Sequence, residues 1–354
     1  MTAAQTPAAQ TTAAQTAAAR REPPPPALLA AALVALLVLS LLASIITGYV
    51  DLPAGTVLGT LLAGGSGDAA LDLVVLEIRL PRALLGATVG GALGAAGAAM
   101  QGLLRNPLAD PGIIGVSQCA ALGAVATIYF GLAGASVWLL PAAGMAGAML
   151  AAIAMQVLAG RDASVLTVIL AGVAIGSIAW SLTSLAMNLS PNVWAVREIV
   201  FWLLGSLKDR SNTEILAAAP FVAAGLALIF SCGRGLEALA LGEETAASLG
   251  VNLNALKARA ILGVALAVGA AVSIAGSIAF VGLMVPHVMR PLVGQRPQPL
   301  LWASALAGAI LVVAADIVTR AAPTNQELNL GVITALLGAP FFLTLILRSR
   351  RSVR

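Results

Sequence analysis

Ten apolar stretches, most of them about twenty residues long and nearly free of charge, punctuate this 354-residue sequence. A helix rises about 1.5 Å per residue, so roughly twenty apolar residues cross the hydrocarbon layer of a bilayer. Inside that layer every backbone N–H and C=O needs a partner, and a helix supplies one from its own backbone. The pattern therefore restricts the chain to an all-α polytopic membrane protein of about ten transmembrane helices. Composition agrees, with 60% hydrophobic and only 10% charged residues and a mean hydropathy of +0.98, where soluble domains carry about 25% charged residues.

The first stretch, Ala27 to Thr47, is too long and too far from the start for a cleavable signal and reads as a retained span. The others are 82–104, 112–130, 136–159, 164–188, 212–231, 257–275, 278–291, 300–318 and 330–347. The run 278–291 is short and reads as broken or partly re-entrant. Residues 1–26, rich in Ala, Thr and Gln and ending in four prolines, read as a disordered tail; 27–348 form one permease-sized membrane domain and 349–354 a basic tail. Residues 49–78, with Asp51, Asp68, Asp72 and Glu77, read as an external loop. Ten spans place both termini on one side. With the termini cytoplasmic, 13 Lys and Arg lie inside (20, 21, 105, 161, 234, 257, 259, 290, 296, 348, 350, 351, 354) and 6 outside (79, 82, 197, 208, 210, 320), which is the positive-inside arrangement.

Several chemistries lack their residues. The spans hold almost no ionisable groups apart from Asp316, so the proton relays and ion sites of secondary transport are not supplied. Lys208 and Lys257 are the only lysines and both follow Leu, so no phosphate-binding G-x-x-x-x-G-K-[ST] exists, and an ATP engine would have to sit on another chain. The single His287 reads as a polar contact at a helix end, and isolated Cys119 and Cys232 as small apolar packers. The sequence calls for no cofactor, metal or catalytic group, and its scattered cations do not form a nucleic-acid stripe.

Three features carry positive information. In the second span Gly86, Gly90 and Gly94 recur every four residues, a small face through which helices approach closely in lipid. After it, Arg105-Asn106-Pro107-Leu108-Ala109-Asp110-Pro111-Gly112 ends one helix and begins another; non-helical backbone near the membrane lines a pathway or makes a plain hairpin turn. Finally Leu236–Lys257, the polar interlude LEALALGEETAASLGVNLNALK, reads as two short helices joined at Gly242, because Gly suits a helix end and Glu243 and Glu244 complement the positive end of the next helix. It is either a handle for a partner or a connector. A faint echo, Arg82–Gly86 against Arg259–Gly263, fits an inverted repeat.

In order and spacing, Arg79-Leu80-Pro81-Arg82, Asn106 to Gly112, Leu241-Gly242-Glu243-Glu244 with Ala246 and Ser248-Leu249-Gly250, Val281-Gly282-Leu283 with Pro286-His287, and Gly331-Val332 to Gly338-Ala339-Pro340-Phe341-Phe342 resemble the iron-chelate, haem and cobalamin permeases of ABC importers (the FecCD family). The resemblance implies the type II ABC importer permease fold in a bacterial inner membrane, paired with a second permease subunit, two cytoplasmic ABC ATPase subunits and an external substrate-binding protein. It implies ATPase coupling through Glu237, Leu241, Gly242, Glu243, Glu244, Ala246, Ser248, Leu249 and Gly250. A cytoplasmic gate falls at Asn106, Pro107 and Leu108 and, less well matched, at Ser164 and Val165, where a hydroxyl residue is expected near Val165. Exposed arginines Arg79, Arg82 and Arg320 are expected to receive carboxylates of the binding protein, and the Glu327-Leu328-Asn329 step replaces the family's usual Glu-Leu-Pro. Ferric siderophore is the leading cargo, with haem and cobalamin as alternatives; an ATP-independent secondary transporter is the alternative from another class.

Overall fold

The computed structural model describes residues 23–136, 138–160, 165–190, 192–210, 212–322 and 327–352. Among them every regular element is helical: α1 Pro26–Ile46, α2 Ala54–Ala63, α3 Ala69–Asp72, α4 Leu80–Leu103, α5 Val116–Tyr129, α6 Leu139–Ala159, α7 Val165–Asn188, α8 Val193–Leu203, α9 Asn212–Ser231, α10 Gly233–Ala240, α11 Glu243–Ser248, α12 Leu253–Ala275, α13 Val281–Met289, α14 Pro297–Ala321 and α15 Leu330–Ser352. Seven helical stretches are long and apolar enough to cross a membrane: Pro26–Ile46, Ala69–Leu103, Leu139–Leu158, Leu166–Asn188, Asn212–Ala240, Leu253–Ala275 and Pro297–Ala321. Shorter apolar helices stand at Ala54–Ala63, Val116–Tyr129, Val281–Val293 and Leu330–Leu345.

Two helices form the centre. Of the most apolar window of each candidate span, 83% is buried in the stretch that ends with α4 and 78% in α12, against 50% or less in the other five. These are the two helices opened by the Arg82–Gly86 and Arg259–Gly263 echo, and both are built largely of Ala and Gly. Small residues let backbones approach closely where lipid offers no hydrophobic drive between helices. The glycine face of α4 meets α14: a Cβ on Gly90 would overlap the Gly308 carbonyl, one on Gly94 the Ser304 carbonyl, and one on Gly86 would press on Val313. Farther along, Gly97 abuts the backbone of Gly282, which seats α13 against α4.

Two expectations are corrected. The region read as an external loop, 49–78, is largely helical: Asp68 caps α3 by accepting from the N–H groups of Ala70 and Leu71, and a π-helical turn, Leu73–Arg79, runs on into α4. Asp72 ties the preceding loop to it through Ser66 Oγ at 2.7 Å. The unassigned stretch after the fifth span contains α8, capped by Asn192, whose side chain accepts from Ala195 N–H at 2.7 Å. The break expected around 278–291 lies just before α13, where Gly276–Phe280 leave the helix and Phe280 takes a positive φ of 68°. At the other end α15 runs to Ser352 and takes in the first residues of the expected basic tail.

Candidate functional site

At one end of the bundle α10 and α11 form a compact pair of short helices. Leu236, Leu239 and Ala246 are buried and anchor the pair, whereas Leu241 and Leu249 are 68% and 63% exposed. Gly242, at φ 114°, provides the turn between the two helices, and Gly250, at φ 83°, ends the pair. Glu243 and Glu244 occupy the first turn of α11, where carboxylates complement the helix dipole. Glu243 also faces Lys257 at 3.6 Å, and Glu237 accepts from Arg296 Nε at 3.1 Å. Glu244 is exposed and has no ion pair among the described residues. Ser248 is exposed and bonds its own helix through Thr245 O. The result is a rigid knob with two free leucines and one free carboxylate.

The 105–112 loop lies beside it, since Gly102 of α4 packs on Leu236. Asn106 organises the turn: its Oδ1 accepts from Leu108 N–H at 2.9 Å and its carbonyl from Ala109 N–H at 3.1 Å. Ala109 is thereby buried, while Asn106, Pro107 and Leu108 face outward. Asp110 caps the next turn by accepting from Gly112 N–H at 2.8 Å; burial nevertheless pushes its carboxyl above the ordinary range, against the lowering effect of that bond. From here a groove of about 700 Å³ runs along α7, lined by Asp110, Gln118, Gly172, Gly176, Ser177 and Trp180. Ser164 lies outside the described residues, and Val165 is the first residue of α7.

The opposite end carries the arginines, and here the expected free surface forks are corrected. Arg79 is 4% exposed; its Nη1 donates to the carbonyls of Ile45 (3.1 Å) and Ile46 (2.8 Å) and its Nη2 to Val50 O. Arg320, 8% exposed, donates to Ser44 O (3.0 Å), Ser44 Oγ (2.7 Å) and Thr47 O. The last carbonyls of a helix have no partner within it and mark the negative end of its dipole, so two guanidinium groups from distant sequence cap α1. Gly48 is required there, because a Cβ would lie 2.7 Å from Arg79 Cζ. Arg82 grips Asp316 with Nε and Nη2, at 3.1 and 2.8 Å, and also bonds Glu327; Arg320 Nη2 reaches Asp316 at 3.1 Å. The lone intramembrane carboxylate thus serves as the hub between two arginines.

Next to this network a cavity of about 790 Å³ opens among α8, the 206–210 segment and Glu327–Asn329. Sequence reasoning did not assign it. The signal was present in Trp194, Arg197, Phe201 and Trp202, an aromatic and basic cluster at helical spacing after a capping Asn; Arg197 stands 5.8 Å from the Trp194 ring and 5.5 Å from that of Phe201. Tyr49 lines the same cavity, and burial together with the Glu327 carboxylate raises its phenol above the ordinary range.

Comparison with known proteins completes the description. The model of the FecCD transport family matches residues 36–348. The chain is 44% identical over 278 residues to the cobalamin import system permease protein BtuC of Halobacterium salinarum, covering 78% of this chain and 73% of that one. It is 39% identical over 277 residues to the Fe(3+) dicitrate transport system permease protein FecD of Escherichia coli, covering 78% and 86%. A solved structure described as a metal-chelate type ABC transporter in an inward-facing conformation superposes with a TM-score of 0.81 at 30% identity, over 92% of this chain and all (100%) of that one.

Proposed function

The chain belongs to the FecCD transport family, and from that premise we propose that it is the membrane permease subunit of an ATP-driven importer for a metal chelate. The observation that carries the proposal is the α10–α11 knob, whose buried Leu236, Leu239 and Ala246 make it move with the bundle while exposed Leu241 and Leu249 meet a partner. A cytoplasmic ATPase that grips this knob transmits its closure to the helices as a rigid-body movement, biasing which side of the pathway is open. In this arrangement ten helices cross the membrane, α5, α13 and α15 being the short ones, both termini are cytoplasmic, and the 105–112 loop with the start of α7 forms the gate on the ATPase side.

A second permease subunit, an identical copy in the simplest assembly, completes the pathway; the exposed α7 residues Leu166, Leu170, Val173 and Trp180 give it an apolar face. A substrate-binding protein docks on the outer end. Of the three arginines there, only Arg82 stands where an incoming carboxylate can take the place of Glu327; Arg79 and Arg320 hold α1 instead.

The cargo is a metal chelate. Ferric siderophore is one reading, supported by the relative named for ferric dicitrate; cobalamin is the other, supported by the relative at 44% identity. ATP hydrolysis by the partner ATPase tests the coupling: stimulation on adding this chain in lipid, lost in Leu241→Asp with Leu249→Asp, is the expected result. Equal stimulation by that variant would disprove the grip.

A further inference from the structure

The cavity beside α8 contains a set of polar atoms that the protein does not satisfy. Trp202 Nε1, Arg210 Nε and Glu327 Oε2 are all buried, belong to residues that line this cavity, and have no hydrogen-bond partner. Trp202 is only 7% exposed. Buried polar atoms without partners are rare in folded proteins, and three bordering one space point to something that occupies it. Neighbouring groups hold these residues in place. Arg210 Nη1 donates to Glu214 at 3.3 Å, leaving Nε over; Glu327 spends Oε1 on Arg82, leaving Oε2 over.

The unsatisfied set constrains the occupant. Two atoms are donors and one is an acceptor, so a ligand must bring both acceptors and a donor. The lining charges balance: Arg197, Lys208 and Arg210 against Glu198, Asp209 and Glu327. A multiply anionic chelate offers only acceptors, meets three carboxylates and gains no net positive field. A neutral chelate fringed with amides offers a carbonyl to the indole and guanidinium and an N–H to the carboxylate. Trp194, 74% exposed, and Phe201 add apolar ring faces at the same opening.

We propose that this cavity is an outer docking vestibule for a neutral, amide-bearing metal chelate, with Trp202 and Arg210 donating to its carbonyls and Glu327 accepting from its N–H. The inference deepens the importer reading and rests on it for the direction of travel. A cobalt corrinoid and a neutral ferric trihydroxamate share the required chemistry; ferric dicitrate lacks it.

The test is equilibrium binding of radiolabelled cyanocobalamin, a neutral ferric trihydroxamate and ferric dicitrate to the full chain in nanodiscs, without ATPase or binding protein. Trp202→Phe keeps the ring and removes only the donor. The expected result is saturable binding of one of the two amide-bearing probes, weakened about tenfold by Trp202→Phe, as befits one hydrogen bond to a buried donor. Glu327→Gln and Arg210→Lys should weaken it comparably, which guards against a folding defect in one variant. Binding that is unchanged in all three variants, absent for both amide-bearing probes, or confined to ferric dicitrate would overturn the proposal. Since this assay needs no ATP, it stands apart from ATP-dependent uptake, whose failure would strike the importer reading itself.

Discussion

Removing the carboxylate of Asp316 is the most demanding perturbation this fold offers. Its side chain is 2% exposed and serves Arg82 and Arg320, themselves 11% and 4% exposed. Asp316→Ala leaves two buried guanidinium groups without the carboxylate between them, and breaking a buried pair in this way costs about 3–5 kcal/mol. Arg82 retains Glu327, and Arg320 retains Ser44 and Thr47, so the expected loss lies near the lower end, about 3 kcal/mol. Arg82→Ala should cost a similar amount. The double variant should fall short of the sum by at least about 1 kcal/mol, because residues sharing one network couple. The assay is the unfolding free energy of each variant in mixed micelles, measured by SDS titration. Additive losses, or a loss below about 0.5 kcal/mol for Asp316→Ala, would refute the hub.

Other positions give sharper contrasts. Gly94→Ala drives a methyl into the Ser304 carbonyl and should cost about 1–3 kcal/mol, whereas Gly59→Ala, with nothing within 4 Å of the new carbon, should gain up to about 1 kcal/mol of helix propensity; thermal unfolding of the pair checks the sign. Glu244→Lys should reduce ATPase-driven uptake several-fold with the protein still folded, as it reverses an exposed charge on α11 that has no ion pair among the described residues; unimpaired uptake would count against the knob as the point of contact. Gly48→Ala should loosen the α1 cap by pushing on Arg79, and faster amide exchange over residues 43–47 is the readout.

Much of this was legible because lipid narrows the choices. Charge-free runs of helical length can be little else, so the helices at α1, α4, α6, α7, α9, α12 and α14 follow from apolar length alone. Gly242 and the Glu243-Glu244 pair announced the short helices of the knob for equally local reasons. Misreadings arose where the decisive partner was distant in sequence. Arg79 and Arg320 looked like surface cations because the α1 carbonyls that bind them lie 33 and 276 residues away for Ile46 and Ser44 respectively. The helices within 54–79 and at 193–203 were hidden for another reason: they are short and mixed in polarity, and α3 and α8 declare themselves mainly through their capping Asp68 and Asn192. The cavity beside α8 needs Tyr49 and Glu327 as well as α8, a combination that no linear motif shows.

The most direct test is uptake into liposomes that hold this chain with its ATPase, with the binding protein outside and ATP inside or omitted. Accumulation of a metal chelate only when ATP and the binding protein are both present is the expected result. Movement of the chelate without ATP, or down an imposed ion gradient, would contradict the importer and return the α10–α11 knob to a simple connector.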